Sequence, residues 1–339
     1  MVDTTPQTIF LGKLTRDFVL LPSGKMLLDV PGGNSLFSIV GQMVWNSEAK
    51  PGMIARVGED YPQTWLRDFD RWGIDIRGVR ILPEAVDVRS FTVYTDLHTR
   101  FQDDPVAHFA RLGQPFPKAL LGYRPQTSSI DSRTRLLPIS LRQGDIIPDY
   151  LDAVVAHLCP LDYLTHSLMP AILRQAEFTI VTLDPSPGYM NPSCWNEIPA
   201  LLTGLTAFLP SEEELRFLFQ GRSTSLWEMA EALSVYGCEI IVIKRGENGQ
   251  LVYDASSHSR WEIPPYPARF LNPTGAGDAF CGGFLAGFRE TYDPLQAALY
   301  GNISASFVVE GDPANYALEA LPGLAQARLQ ALQGSVRKV

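Results

Sequence analysis

The residues from 272 to 288 combine a glycine-rich turn with a carboxylate and then a helical apolar pattern. Gly275 and Gly277 mark the turn, and the apolar residues after Asp278 recur at helical spacing. Such a turn directs backbone N–H groups at one point, and the dipole of the following helix adds positive charge there. We therefore predict an anion hole built by the N–H groups of Gly275, Ala276 and Gly277, with the carboxylate of Asp278 beside it.

An anion hole next to a carboxylate suits phosphoryl transfer. The transferred group needs fixed donors for its developing charge, and a positioned carboxylate accepts the proton of the attacking hydroxyl. Asp278 is the candidate base. A structural interpretation stays open, in which Asp278 is an ordinary first-turn acid favoured by the helix dipole and Thr274 an ordinary cap.

Three glycines lie inside the predicted helix, at Gly282, Gly283 and Gly287. Each costs about 1 kcal/mol relative to alanine in a helix interior. We therefore predict that another part of the protein packs very close to this helix, and tight packing on a sheet would explain the glycines equally well.

The N-terminal segments must position a ligand against that turn. Residues 8–12 form an apolar run that ends in glycine, which predicts a buried first strand. Residues 18–21 and 26–30 flank a Pro-Ser-Gly turn and predict a hairpin. Gly32 and Gly33 then precede an apolar helical stripe, and a Gly-Gly turn lets the backbone approach a ligand.

Later patterns predict strands at 54–57, 90–96 and 178–183, helices at 65–72, 150–157 and 169–175, and a strand, turn and strand over 240–253. Between 99 and 147 the periodicity breaks down. A structureless loop of that length is unusual in a compact domain, so we predict an elaborated lid or an oligomer contact there.

Composition excludes several classes of protein. The 339 residues carry a formal net charge of −9, which argues against a polyanion such as nucleic acid as the main partner. The four cysteines lack C-x-x-C spacing, the first residues lack a signal-peptide pattern, and no apolar run is long enough to span a membrane. We predict a cytoplasmic protein without structural disulfides, a zinc site or a membrane segment.

The run N-P-T-G-A-G-D-A-F-C-G-G-F-L-A-G-F resembles the C-terminal signature of the ribokinase family, also called the PfkB carbohydrate kinases. The chain contains no Walker A motif, and Phe280 stands where a dinucleotide fingerprint requires a small residue. The resemblance extends from about residue 9 to residue 313. It implies one doubly wound, mostly parallel α/β domain over 8–332, with a small β-rich lid from segments near 18–30 and 88–147. We predict a frayed tail at 333–339.

The resemblance also assigns acceptor-binding residues. Asp17 matches the family position that binds sugar hydroxyls, although a solvated turn acid would also fit the sequence. Gly32 and Gly33 resemble the glycine pair of the acceptor site, with Asn34 beside them. The family usually has Asn four residues after the second glycine, and Phe37 stands there instead. An apolar ring favours a less hydroxylated or partly aromatic acceptor.

On the nucleotide side, Glu214 matches the acid of the family's N-x-x-E motif, which supports Mg²⁺ and the phosphates. Ser211 replaces the Asn of that motif, and a Ser211–Glu214 capping box would explain the pair equally well. Lys244 stands where the family contacts ATP. Gly246 and Gly249 resemble the nucleotide-binding turn, or they are simply hairpin turn residues.

Two further positions come from the resemblance. Asn302 matches the helix that flanks the adenine. Asn272 replaces an Asp that helps to hold a monovalent cation in the family, which weakens the case for K⁺ in this chain.

These assignments predict an ATP-dependent kinase that transfers the γ-phosphoryl group to a hydroxyl of a sugar or nucleoside-like molecule. The expected partners are ATP, Mg²⁺ and the small acceptor, with a homodimer through the lid as an option. The alternative is a non-catalytic binding protein that retains the kinase fold, which Phe37, Ser211 and Asn272 suggest and the intact G-A-G-D argues against. A nucleotide-binding oxidoreductase is weakly supported, because no fingerprint follows the first strand.

Overall fold

The computed structural model describes residues 5–96, 99–124, 133–312 and 314–339. The strands are β1 (Thr8–Leu11), β2 (Thr15–Leu20), β3 (Met26–Gly32), β4 (Gly52–Val57), β5 (Val79–Ile81), β6 (Arg89–Tyr94), β7 (Arg100–Phe101), β8 (Val155–Leu158), β9 (Ile180–Leu183), β10 (Ala207–Phe208), β11 (Ile240–Lys244), β12 (Gln250–Asp254), β13 (Ser259–Ile263) and β14 (Arg337–Lys338). The helices are α1 (Asn34–Met43), α2 (Gln63–Arg71), α3 (Pro105–Arg111), α4 (Tyr163–Gln175), α5 (Ile198–Leu202), α6 (Glu212–Leu218), α7 (Leu226–Ser234), α8 (Ala276–Thr291), α9 (Pro294–Val308) and α10 (Leu324–Gln333).

The larger sheet has the strand order β14-β13-β12-β11-β10-β9-β8-β1-β4-β5. Its strands from β5 to β11 in this order pair in parallel, and β12, β13 and β14 add antiparallel pairs at one edge. The strand β14 lies in the segment where we predicted a frayed tail, and it pairs with β13. Side chains alternate between two cores: Phe10 packs with α1, α8 and α9, whereas Ile9 and Leu11 pack with α4 to α7. Helices thus cover both faces, which confirms the predicted doubly wound fold.

The helical prediction for residues 150–157 is wrong. A short 3-10 segment, Pro148–Asp152, leads into β8, which pairs in parallel with β1 on one side and β9 on the other. All four residues of β8 are buried, because the strand lies inside the sheet with helices on both faces. A buried apolar run of this length shows no helical or strand periodicity, so the sequence alone does not distinguish the two.

A second, smaller sheet has the order β3-β2-β6-β7. The β2–β3 pair is antiparallel and confirms the predicted hairpin. The helix α3 and the residues that follow it cover one face, where Phe18, Phe91 and Phe109 form a separate small core. Residues 105–123 therefore cover this sheet, which we name the lid sheet.

The end of the 99–147 segment behaves differently. Leu141 and Ile146 pack into the core of the larger sheet, and Arg56 of β4 binds Asp145 at 2.8 Å. The part of the predicted lid at 125–132 lies outside the described residues. Within the described ranges, no helix is long and apolar enough to cross a membrane.

The helix α8 lies between α1 and α9, and its glycines face these two helices. A Cβ at Gly282 would overlap the carbonyl oxygen of Ser38 in α1. A Cβ at Gly283 would lie 2.7 Å from the Cβ of Ser304 in α9, and one at Gly287 would lie 2.8 Å from the Cβ of Tyr300. The close packing predicted from these glycines is confirmed, and the partners are helices rather than the sheet.

Candidate active site

The predicted anion hole lies at the start of α8. Gly275 caps the helix with a φ of 78°, a conformation that favours glycine. A Cβ at this position would overlap the ring of Phe37, so the α1 side chain presses on the turn. The N–H group of Ala276 donates to the carbonyl of Pro273 at 3.2 Å. Among the three predicted donors, Ala276 would therefore have to share or release a turn hydrogen bond in order to bind an anion.

Asp278 lies in the first turn of α8 and is partly buried. Burial raises the pKa of its carboxyl to about 6, although the positive charges of Lys244 and Arg100 oppose the increase. A carboxyl with this pKa is ionised at neutral pH and is a stronger proton acceptor than an ordinary aspartate. The environment of Asp278 therefore suits a general base.

Lys244 ends β11 and forms an ion pair with Asp184, the residue that follows β9. Its Nζ also lies 3.5 Å from Sγ of Cys281 in α8. Sequence reasoning placed Lys244 near the phosphates but did not assign Asp184 or Cys281 to the site. The signal for Asp184 is its position at the carboxyl end of a buried parallel strand, where open α/β sheets bind ligands.

Glu214 forms the predicted capping box with Ser211. Its Oε2 accepts from the backbone N–H of Ser211 at 2.8 Å and from the Ser211 hydroxyl at 2.7 Å, and Ser211 Oγ accepts from Glu214 N–H at 3.2 Å. Burial raises the pKa of Glu214 to about 7, and the charge of Asp184 contributes to the increase. The capping box is therefore real and does not exclude a second role.

The charges around this site fit a divalent cation. Burial raises the pKa values of Asp184 and Asp278 to about 6, and the negative charge of Asp278 adds to the increase for Asp184. Together with Glu214 they place three carboxylates near one ammonium group, and a cation such as Mg²⁺ would relieve their repulsion. The described residues contain no group of three acids, histidines or cysteines close enough to hold a metal by themselves.

A small pocket of about 20 Å³ lies between the lid sheet and α1, and Thr274 of the turn is among its lining residues. Asp17 of β2 is buried there, and its Oδ1 accepts from the Thr15 hydroxyl at 2.6 Å. Burial raises the pKa of Asp17 to about 6. A Cβ at Gly32 would overlap the Asp17 carboxylate, so this glycine is required beside it. The walls are mostly apolar and include Val19, Leu27, Val30, Pro31, Phe37, Thr274 and Val308.

Gly33 and Asn34 lie at the start of α1 and do not line this pocket. Gly33 has a φ of 111°, and a Cβ there would overlap the carbonyl oxygen of Lys13. Oδ1 of Asn34 accepts from the N–H of Lys13 at 2.7 Å, and its Nδ2 donates to the carbonyl of Pro160 at 2.7 Å. The structure thus gives Asn34 a role in fixing two loops, and its predicted contact with the acceptor stays a prediction.

A larger cleft of about 660 Å³ opens on the other side of the anion hole, and Lys244, Gly246, Gly277 and Asn302 are among its lining residues. Gly246 has a φ of 53°, and a Cβ at Gly249 would lie 2.9 Å from the backbone of Pro264. Both glycines shape the β11–β12 turn, as the hairpin interpretation predicted. The volume and position of the cleft suit a nucleotide whose phosphates point at the turn.

Asn302 has every polar atom of its side chain engaged in the wall of this cleft. Its Oδ1 accepts from the N–H of Tyr266 at 2.9 Å, and its Nδ2 donates to Gln250 Oε1 at 2.7 Å and to the carbonyl of Pro264 at 2.9 Å. Asn302 therefore holds the segment that forms the outer wall, and a direct contact with adenine stays a prediction.

Asn272 connects the anion-hole turn to the lid sheet. Its Oδ1 accepts from the N–H of Thr274 at 3.0 Å, and its Nδ2 donates to Asp312 at 2.6 Å. Asp312 in turn accepts from Lys25, at the turn between β2 and β3, at 2.8 Å. A carboxylate therefore does lie next to Asn272, but a lysine of this chain already neutralises it.

The lid sheet brings two further side chains to the turn that the sequence did not indicate. The hydroxyl groups of Tyr94 and Thr274 lie 3.4 Å apart. Arg100 pairs with Tyr94 across β6 and β7, and its positive charge opposes the rise in the pKa of Asp278. The lid sheet therefore contributes polar groups and charge to the region around the base.

The chain is similar to known sugar and nucleoside kinases. Residues 150–321, about half of the chain, match the pfkB family carbohydrate kinase. The cytidine kinase of Thermococcus kodakarensis is 27% identical over 284 residues, which cover 83% of this chain and 87% of that protein.

Solved structures share the fold over nearly the whole chain. A Ribokinase II structure from E. coli with ATP and Mg²⁺ has a TM-score of 0.70 at 16% identity and covers 96% of this chain and 99% of that one. The Burkholderia thailandensis nucleoside kinase in complex with inosine has a TM-score of 0.66 at 18% identity, with the same coverage of both chains. The fold is thus ribokinase-like, and the chain belongs to the pfkB family of carbohydrate kinases, as a sugar or nucleoside phosphotransferase.

Proposed function

We propose that this protein is an ATP-dependent kinase that phosphorylates a hydroxyl group of a nucleoside or a closely similar riboside. The observation that carries the proposal is that Asp278 directly follows a glycine turn whose residues line both cavities, with Thr274 in one and Ala276 and Gly277 in the other. One cavity is large enough for a nucleotide, and the other contains a buried carboxylate, Asp17, among apolar walls.

Several groups of this chain have separate roles in the proposed reaction. Asp278 accepts the proton of the acceptor hydroxyl while that oxygen bonds to the γ-phosphorus and the bond to the β-phosphate oxygen breaks. The N–H groups at the turn and the α8 dipole stabilise the negative charge on the transferred group. Glu214 would hold Mg²⁺ through its waters, and that ion would neutralise phosphate charge during transfer.

The walls of the acceptor pocket favour a molecule with both hydroxyl groups and an apolar ring. The Asp17 carboxylate can accept hydrogen bonds from a sugar diol, whereas Phe37 and Leu27 offer only apolar surface. Because the pocket has a free volume of only about 20 Å³, the lid sheet would have to move away from α1 to admit an acceptor. A nucleoside base would then cover the apolar surface, whereas a free pentose would leave it without a partner. The similarity to a cytidine kinase supports the same acceptor class.

Turnover with a panel of acceptors tests the proposal. Purified protein with Mg-ATP is expected to release ADP when nucleosides are added, with weaker release for free ribose and hexoses. If ATP binds and no acceptor stimulates ADP release, the kinase proposal fails and a binding protein that retains the fold becomes the better interpretation.

The pH profile of kcat/KM follows from the state of the base. Because burial raises the pKa of Asp278 to about 6 and only the ionised form accepts a proton, kcat/KM is expected to rise with pH through about 6 and then level off. Asp17, Asp184 and Glu214 also have raised pKa values, so the profile is measured as well for Asp17→Asn, Asp184→Asn and Glu214→Gln. The rise of kcat/KM near pH 6 should persist in each of these variants if it belongs to Asp278. A flat profile between about pH 5 and pH 8 would contradict the assignment.

Substitution of Phe37 tests the acceptor class. Phe37→Leu removes the aromatic ring but keeps apolar volume, so we expect about a tenfold loss in kcat/KM with nucleosides and a smaller loss with ribose. Steady-state kinetics with both acceptors measure the difference. An equal loss with both would mean that the ring acts only by supporting the turn at Gly275.

A further inference from the structure

Three elements of the fold meet at the ion pair between Asp184 and Lys244. Asp184 follows β9, Lys244 ends β11, and Cys281 lies one turn after Asp278 in α8. Oδ2 of Asp184 binds the Lys244 ammonium and also accepts from the Cys281 thiol at 3.3 Å. Among the described residues, Oδ1 of Asp184 has no hydrogen-bond partner, although the residue is almost completely buried.

The ammonium group of Lys244 lies beside the predicted anion hole. Its Nζ is 3.8 Å from the point that a Cβ of Gly277 would occupy. Lys244 also lines the 660 Å³ cleft. The ammonium therefore occupies the boundary between the cleft and the glycine turn, where a nucleotide in the cleft would place its terminal phosphates.

Burial by itself would favour loss of the proton from Lys244. The carboxylates near it, Asp184 first and Glu214 after it, more than offset this effect and raise the pKa of the ammonium above its ordinary value. Lys244 thus stays charged in a buried position, and it is Asp184 that both fixes its direction and compensates its charge.

We propose that Asp184 is a positioning residue, which holds the ammonium of Lys244 at the anion hole so that this ammonium binds the terminal phosphates of the nucleotide. The inference rests on the proposed ATP-dependent function. It assigns a role to a carboxylate that would otherwise be a buried ion-pair partner, and buried pairs contribute little net stability compared with apolar replacements.

Two other roles for Asp184 lead to different expectations. If Asp184 bound the metal, its replacement would weaken Mg²⁺ binding whether or not Lys244 is present. If Asp184 had only a structural role, its replacement would disturb the whole nucleotide cleft, including the part that contacts the nucleoside moiety. If Asp184 only positions Lys244, its replacement weakens the binding of the terminal phosphates, and it does so only when Lys244 is present.

The test is a double-mutant cycle on nucleotide affinity, with Asp184→Asn, Lys244→Met and the double variant. Affinity is measured by displacement of a fluorescent ATP analogue, with ATP and AMP as competitors at saturating Mg²⁺. We expect each single variant to bind ATP roughly tenfold more weakly or worse, because a charge-assisted hydrogen bond is lost, and to bind AMP nearly as the parent does. The double variant is expected to bind ATP at least as tightly as Lys244→Met, because Asp184 then has no ammonium to position and its unpaired negative charge would repel the phosphates.

The comparison between Lys244→Met and the double variant is the decisive one. It does not depend on the stability of Asp184→Asn, which leaves an unpaired buried ammonium, whereas the double variant is neutral at both positions. Asp162→Asn serves as the matched control, because Asp162 caps α4 and does not line the 660 Å³ cleft, and an asparagine caps equally well.

Several results would overturn the inference. A further loss of ATP affinity in the double variant, an equal loss for AMP, or a raised Mg²⁺ requirement with unchanged ATP affinity at saturation would each assign Asp184 another role and leave the kinase proposal intact. If the parent protein binds no ATP in this assay, the kinase proposal fails and this inference fails with it.

Discussion

Asp278→Asn is expected to lower kcat by about 10²- to 10⁴-fold, the usual contribution of a general base. The amide keeps the size and the hydrogen-bonding oxygen of the carboxylate but cannot accept the proton of the acceptor hydroxyl. Nucleotide affinity should change little, since the turn and the cleft are unaltered. Steady-state ADP release and displacement of a fluorescent ATP analogue measure the two effects separately.

A matched substitution separates catalysis from helix capping. Asp293 lies at the start of α9, where its side chain accepts from the N–H groups of Leu295 and Gln296, and an asparagine at this position would cap the helix as well. Asp293→Asn should therefore leave kcat unchanged. If Asp278→Asn also left kcat unchanged, Asp278 would be an ordinary first-turn acid.

Gly282→Ala is expected to destabilise the protein by about 3 kcal/mol or more, although alanine is the better helix former. Helix propensity alone predicts a gain of about 1 kcal/mol in the free energy of unfolding. The added Cβ would overlap the Ser38 carbonyl oxygen and lie 2.9 Å from the backbone nitrogen of Gln42. Both atoms belong to the backbone of α1, so they cannot move aside as the end of a flexible side chain can.

Denaturant unfolding measures the change in the free energy of unfolding that Gly282→Ala causes. A decrease would mean that close packing dominates, and an increase would mean that helix propensity dominates. Gly334→Ala is the control, because Gly334 follows α10 with a φ of −69° and a Cβ there would meet nothing within 4 Å. We expect that control to change stability by less than about 0.5 kcal/mol. A Gly282→Ala variant as stable as the parent would show that α1 and α8 can separate without cost.

The two predictions are connected through the geometry of the site. Phe37 and Ser38 are neighbours in α1, so the contact at Gly282 fixes the same helix whose Phe37 ring presses on Gly275. Separation of α1 from α8 would release that ring from the turn. We therefore expect Gly282→Ala to lower kcat as well, in the fraction of the protein that stays folded.

Features that depend on neighbouring residues could be predicted from the amino-acid sequence. The glycine turn before Asp278, the Ser211–Glu214 capping box and the β2–β3 hairpin all formed as predicted. Each involves residues no more than 17 positions apart in the chain, so turn geometry and capping chemistry are enough to specify it. The doubly wound fold followed from the order of the patterns and the family resemblance.

The buried strand β8 shows where local patterns fail. Its four residues are all buried, and the preceding Tyr150 belongs to a 3-10 segment, so the combined run looked helical. The pairing with β1 and β9 decided the conformation. Strand pairing depends on contacts more than 20 residues away, which no local pattern contains.

No local sequence pattern predicted which polar groups lie together in the site, and only the folded structure showed it. The Asp184–Lys244 pair and the Tyr94–Thr274 contact join residues 60 and 180 positions apart in the chain. The glycines of α8 predicted a close neighbour, but the structure had to show that the neighbours are α1 and α9. The physical reason is that ion pairs and close packing depend on distances in space, and these are fixed when the strand order of the sheet brings distant ends together.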